Sequence, residues 1–355
     1  LKINTYLDSL ELYDTNVEPV KDEENYLRTF LENVKGSFLL SKDKRIRSIV
    51  EIAACGLIES NAELKEIADK KDFDALAKKT EELLLNKETK RHPGYIAIVM
   101  ADGDNMGDAI ASLSQSENNN NIDANPYREF SRALHTSAEE FIRTIMEFGG
   151  EPVYAGGDDM LFFAPLLSKD GEKTIFNLIG EFQLRNMKEP IPTLSFGVSI
   201  TYHKFPLYEA LQASRDLLNK SKKGLKNSVS IRFLTHSGSA FELSFYKGRE
   251  NNAYEKFLHL LETRIDDPGY LSSVRQKILK NHALIGTAAK NQNLIANFFT
   301  NEFNEDIHKL EQHREYLAAV RDYIHYLYHI NRPNVIETVS ASLRLVELYR
   351  QKGKV

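Results

Sequence analysis

The sequence predicts an α+β protein built on a βαββαβ-type antiparallel sheet with helices against it, flanked by helical segments on either side. Three observations lead there. Residues 95–101, Tyr-Ile-Ala-Ile-Val-Met-Ala, are apolar at every position, as in a strand buried on both faces. Residues 152–164 read as two apolar strands joined by Gly-Gly-Asp-Asp, a hairpin. Beyond them helix and strand patterns alternate to residue 234, and from about residue 251 the pattern is all helical.

The elements follow in order. Residues 1–90 read as a charged helical domain, with helices over 25–34 and 61–86, where Leu64, Ile67, Leu76 and Leu83 give a rough stripe. Residues 87–94 form a polar connector ending in Pro-Gly, a boundary signal. The second domain spans 91–248. Its central strand is followed by a low-complexity loop over 114–125 and by a helix entered at Asn125-Pro126, as cap and first helical residue. Phe130, Leu134, Phe141, Ile145 and Phe148 form that helix's inner stripe, and Gly149-Gly150 ends it. After the hairpin come a helix over 173–187, a strand over 193–201, a helix over 207–222 and a strand over 228–234. The helix over 207–222 carries small or apolar residues at Leu207, Ala210, Leu211, Ser214, Leu217, Leu218 and Ser221. Residues 249–355 form a bundle, with helices such as 254–264, 284–299 and 303–328. Tyr326 and Tyr328 are read there as exposed aromatic residues on a partner-docking surface.

Composition narrows the function. The chain has 355 residues, 42% hydrophobic and 27% charged, ordinary for a globular protein of two or three domains. A formal net charge of −5 argues against a free-standing, non-specific nucleic-acid binder. One cysteine, Cys55, excludes a disulfide framework and a cysteine-based zinc site, and fits the cytoplasm. No segment has the length of a membrane span, and the first residues lack a signal-peptide core. The chain begins at Leu1 without an initiating Met, so it reads as a piece of something longer.

Three motifs could carry chemistry. The first is Asp102-Gly103-Asp104-Asn105-Met106-Gly107 at the exit of the buried strand. A carboxylate there serves a ligand better than it serves packing, and the glycines and successive amides suit phosphate oxygens. The same residues would also make a plain strand-to-helix turn, with Asp104 capping the next helix. The second is Gly156-Gly157-Asp158-Asp159. A tight hairpin explains the glycines but not two adjacent carboxylates, whose repulsion a divalent cation would relieve. With Asp102 they could hold two Mg²⁺ ions at a separation of roughly 3.5–4 Å. The third is Lys220, Lys222, Lys223 and Lys226 around the end of the helix over 207–222. These cations complement a helix C-terminus, and one could reach a triphosphate. There is no phosphate loop, no dinucleotide fingerprint and no His-Glu-x-x-His, and none of the ten His is followed by Asp.

Taken in this order, the motifs resemble the palm of the GGDEF-type nucleotidyl cyclases, a ferredoxin-like fold. The Ser195-Phe-Gly-Val-Ser199 strand and the 221–227 segment Ser-Lys-Lys-Gly-Leu-Lys-Asn join the resemblance. Gly-Gly-Asp-Asp together with Asp-Gly-Asp-Asn-Met-Gly is similar to one branch, the large polymerase-like subunit of type III CRISPR effector complexes, of the Cmr type. The resemblance covers about residues 94–235. It implies Asp102, Asp158 and Asp159 as ligands of two Mg²⁺ or Mn²⁺ ions, with Asp158 and Asp159 catalytic and a backbone carbonyl near Gly103 assisting. It implies ATP held by the backbone at Gly103, Asp104, Asn105, Met106 and Gly107, by Gly156 and Gly157, and by Lys222, although Leu225 stands where the cyclases have Gly. The implied activity is conversion of ATP to 3′–5′ cyclic oligoadenylate, with guide RNA, target RNA and other complex subunits as partners and no membrane. That family pairs two palms around the nucleotides, often with an N-terminal HD nuclease and a Cys-rich segment. Here one palm is found, so a second palm domain or a second copy would complete the site. A nucleotide-binding scaffold without catalysis and a cyclic-dinucleotide cyclase are the competing readings.

Overall fold

The structure is a computed structural model. It describes residues 49–350 except 54–57, 59–60, 71, 86–93, 115–124, 186, 188–190, 225, 236–237, 249–251, 264, 266, 304–310 and 331. The helix expected over 25–34 and most of the 87–94 connector and 114–125 loop lie outside the described residues, as does Leu225. Residues Arg47–Val355 form one compact unit.

Helices α1 (Ile49–Ala53), α2 (Ala62–Asp69) and α3 (Phe73–Leu85) precede the sheet. The stripe expected as one run over 61–86 splits in two. The Asn61 carboxamide oxygen accepts the Leu64 amide at 3.2 Å, and Asp72 accepts the Ala75 amide at 3.1 Å. Each is an N-cap, so a second helix starts where one was expected to continue. Helix α1 packs on the sheet itself, against β1 and β3.

The sheet has six strands: β1 (Tyr95–Gly103), β2 (Glu151–Gly156), β3 (Asp159–Pro165), β4 (Leu194–Tyr202), β5 (Ser228–Leu234) and β6 (Ala240–Tyr246). Their order is β2-β3-β1-β4-β5-β6. Strand β1 runs antiparallel between β3 and β4, with β2 outside β3, so the first four strands make the expected ferredoxin-like split arrangement. Two features depart from expectation. The β4–β5 pair is parallel, because a full helix, α7 (Leu207–Lys223), returns the chain to the starting end of β4. Strand β6 was not expected, yet Phe241, Leu243 and Phe245 alternate with Glu242 and Ser244, and Leu243 and Phe245 are buried.

The sheet is covered on both faces, not on one. Ala97, Val99 and Ala101 of β1, with Val198 of β4 and Ile231 of β5, share a core with Phe257, Leu343 and other bundle residues. On the opposite face α7 lies so close over β4 that a Cβ at Gly197 would come within 2.1 Å of the Ser214 carbonyl oxygen. Ser214 donates to the Ile98 carbonyl at 3.0 Å and Ser221 to the Phe196 carbonyl at 2.8 Å, so hydroxyls pin the helix to two strands. Helix α4 (Met106–Ser114) follows β1, and α5 (Asn125–Phe148) begins at Asn125 itself, one residue earlier than expected. The helix expected over 173–187 is only α6 (Ile175–Glu181). Thr174 and Asn177 cap its start, and at its end Phe182 turns to extended backbone, which lets Phe182 and Leu184 enter the core.

The bundle comprises α8 (Ala253–Glu262), α9 (Pro268–Lys280), α10 (His282–Ala288), α11 (Gln292–Glu302), α12 (Glu311–His329) and α13 (Val335–Arg350). Asn291 caps α11 by accepting the Asn293 and Leu294 amides, which breaks the helix expected over 284–299. Phe257 stacks on Phe245 at 4.7 Å and meets Phe176 at 5.3 Å, fastening the bundle to β6 and α6. Tyr326 and Tyr328 are half-buried against the core, not exposed. Among the described residues no helix is long and apolar enough to cross a membrane.

Candidate active site

Strands β1 and β3 deliver the acidic residues to one end of the sheet. Their ladder ends with Ala101 paired to Met160, so one step further sets Asp102 opposite Asp159. Asp102 is also paired with Ser195 of β4. In the hairpin Gly156 pairs with Asp159, leaving Gly157 and Asp158 as a two-residue turn. Gly157 has φ +69° and Asp158 does not share the positive φ, which suits a turn with glycine at its first central position. Asp158 is half-buried and folds back over β1: a Cβ at Gly103 would lie 2.6 Å from its Oδ2. Asp159 is the more exposed of the two. Partial burial, then the charges of Asp102 and Asp158, hold the Asp159 carboxyl above the usual carboxylate range, with Lys222 opposing. Three carboxylates and a lysine therefore share one small volume.

Lys222 arrives from the last turn of α7. Its ammonium forms an ion pair with Asp102 and donates to the Gly103 carbonyl at 2.7 Å. Among the described residues no three Asp, Glu, His or Cys side chains stand close enough to cage a metal ion by themselves. The oxygen donors present are Asp102, Asp158, Asp159 and the Gly103 carbonyl. That set fits a hard cation such as Mg²⁺, which takes one or two carboxylates and completes its shell with water and phosphate oxygens. A cation would compete with the Lys222 ammonium for both Asp102 and Gly103.

The backbone expected to cradle phosphate divides into two parts. The Asp104 amide donates to the Thr193 carbonyl at 2.7 Å and is committed to the fold. Its carboxylate is held within the fold instead of capping α4. It is buried and accepts from Thr193 Oγ1 at 2.8 Å, Ser195 Oγ at 2.8 Å and the Asn227 amide at 2.7 Å. These bonds staple the tip of β1 to β4 and to the turn between α7 and β5. The amides of Met106 and Gly107 open α4, where the first helical N–H groups have no partner within the helix. Gly107 is exposed with open space beside it. Asn105 sits at φ 57° and its side-chain oxygen accepts from Lys226. At the hairpin, a Cβ on Gly156 would strike the Tyr154 hydroxyl at 2.5 Å, while nothing lies near Gly157.

Beneath the site is a lysine that sequence reasoning did not single out. Lys247, just beyond β6, places its ammonium 4.2 Å from the centroid of the Phe196 ring. Burial pulls its pKa down to about 7, against the opposing charge of Asp104. The signal that could have found it was the alternation of β6, which ends next to it.

The comparisons bear on this constellation. Residues 95–230 match the family model described as Cas10/Cmr2, second palm domain. The match opens at the first residue of β1, ends inside β5 and includes Asp102, Asp158, Asp159 and Lys222. This segment is similar to a Cas10/Cmr2 palm. The chain is also 30% identical over 200 residues to the CRISPR system Cmr subunit Cmr2 of Pyrococcus furiosus, over 50% of this chain and 23% of that protein. It thus spans about a quarter of the curated relative it matches. Among solved structures, Csm1 of T. onnurineus is similar at TM-score 0.46 and 14% identity, covering 88% of this chain and 41% of that one. A type III-B Cmr-beta structure in its apo state is similar at TM-score 0.43 and 14% identity, covering 70% and 41%.

Proposed function

We propose that the palm binds ATP together with divalent cations and joins nucleotides through 3′–5′ bonds, giving cyclic oligoadenylate. The observation that carries this reading is the meeting of Asp102, Asp158, Asp159 and Lys222 at one end of the sheet. A structural turn has no use for three clustered carboxylates, whose repulsion has to be offset. In the reaction a ribose 3′-hydroxyl oxygen attacks an α-phosphorus, the bond to the β-phosphate oxygen breaks, pyrophosphate leaves and the hydroxyl proton passes to solvent. Mg²⁺ or Mn²⁺ held by Asp102, Asp158, Asp159 and the Gly103 carbonyl would supply Lewis acidity for the attacking and leaving oxygens. Lys222, released from Asp102, would meet phosphate charge. The first amides of α4, at Met106 and Gly107, would donate to phosphate oxygens. The hairpin fixes Asp158 against Gly103, so its position is set before the nucleotide arrives.

The palm family and the Cmr2 relative support a place in an RNA-guided type III CRISPR complex, with further subunits, guide RNA and target RNA as partners and a second palm or second copy across the site. One observation favours a second reading, a nucleotide-binding palm without turnover: Lys222 already neutralises Asp102. Calorimetric titration of ATP with Mg²⁺ or Mn²⁺ separates these. Cation-dependent binding lost in Asp158→Ala is expected, with turnover in the assembled complex lost alongside it. Binding that survives in Asp158→Ala would overturn the carboxylate assignment, and binding without turnover in the complex would favour the second reading.

A further inference from the structure

The C-terminal bundle holds a polar cavity, which the palm chemistry does not use. It measures about 540 Å³ and is lined by Ala289, Lys290, His325, Tyr328, His329 and Arg332. That volume falls in the range of small-ligand sites. Its charge is one-sided: two permanent cations, two imidazoles and a phenol line it, and among the described residues no carboxylate does. The chain as a whole is acidic, with a formal net charge of −5, so a wall of this composition departs from the average surface.

Arg332 is the anchor. Its guanidinium donates to the Ser244 carbonyl and, through Nε, to Thr338 Oγ1 at 3.3 Å, and it lies 5.2 Å from the Phe245 ring. All three partners are neutral. Burial pulls its pKa down from the usual value, and no carboxylate offsets this among the described residues. A guanidinium taken from water against neutral groups is favoured when an anion completes its fork. Lys290 is exposed. His325 Nδ1 lies 2.8 Å from the Ala289 carbonyl oxygen, so that nitrogen carries the proton and Nε2 remains for another partner. The His329 ring lies tilted beside that of His325, with centroids 6.4 Å apart. Burial, then the charge of Glu337, an exposed residue outside the lining, raises the Tyr328 pKa.

We infer that this cavity binds phosphate, with Arg332 and Lys290 as its fixed charges and His325, His329 and Tyr328 as further donors. Planar guanidinium, ammonium and imidazole donors around one opening are the set that recognises phosphate oxygens. The inference does not rest on the nucleotide reading of the palm. Free phosphate compounds and the phosphodiesters of RNA both offer this chemistry.

The test uses the full chain in EDTA at low salt, which removes cation-dependent binding at the palm. Inorganic pyrophosphate is titrated by calorimetry, and a labelled, mixed-sequence single-stranded RNA by fluorescence anisotropy. Both are repeated with the double variant Lys290→Glu/His329→Glu, whose two positions are exposed and leave the core untouched, with circular dichroism checking the fold. At least one ligand is expected to bind the wild type and to weaken by about tenfold or more in the variant, because phosphate affinity tracks local cationic charge. RNA displaced by pyrophosphate identifies a free phosphate compound as sufficient; RNA bound without competition identifies the phosphodiester chain. Equal affinity in wild type and variant, or no binding of either ligand to the wild type, overturns the inference.

Discussion

Asp104 gathers Thr193, Ser195 and Asn227 onto one buried carboxylate, two residues from Asp102. Replacing it by Ala strands three donors and leaves Lys247 without its opposing charge. Asp104→Ala should cost about 3 kcal/mol, read as a lower urea midpoint. Lys247 gives a pH signature. Its folded pKa, about 7, lies below the unfolded value near 10.4, so the unfolded chain holds more protons between those limits. The cost of burying it is therefore absent above the unfolded value, grows as pH falls through the window and levels off below about 7. The midpoint gained by Lys247→Met over wild type should rise as pH falls from 10 to 7, as urea titrations across that range would show. Asp102, Asp158 and Asp159 stood out in the sequence as clustered charges without a packing role, whereas Lys222 was singled out from its neighbouring lysines only by the family resemblance. The use of Asp104 was not: its partners lie 89, 91 and 123 residues away, and no local pattern links them.

Helix α7 and strand β4 form the joint that carries Lys222 to the carboxylates. Gly197 is what lets them approach, since a methyl there would meet Ser214 and Leu218 backbone atoms at 2.1 and 2.3 Å. Gly197→Ala should destabilise the chain by roughly 3 kcal/mol, visible as a lower melting temperature, because backbone on both sides leaves no side chain to yield. The stripe of α7 was readable from its period, with Ala210, Ser214, Leu217 and Ser221 buried, although Leu207 is exposed and Ala213, outside the expected stripe, is buried. What the period could not give was the reason for the small residues, which is the close approach at Gly197. The ends of α6 and α11 were misjudged because Phe182 and Asn291 stop or restart helices by burial and capping, which do not alter the apolar count in a window.

At the scale of the molecule, the split arrangement of the sheet was legible from the order of its elements, whereas the covering of both faces was not. That covering depends on the bundle returning to the strands, through contacts such as Phe176 with Phe257 and Arg332 with Ser244. The split arrangement also has a consequence for synthesis. Of the described strands the one made first, β1, lies inside the sheet, between β3 and β4. Until β3 emerges neither of its edges has a partner, and until β4 emerges one still has none. For that interval the nascent chain exposes an apolar ribbon, Tyr-Ile-Ala-Ile-Val-Met-Ala, with both rows of backbone groups open to any neighbouring strand. The long helix α5, which is translated before β3, lengthens that exposure, so a cell producing this chain has to shelter β1 until its own hairpin arrives.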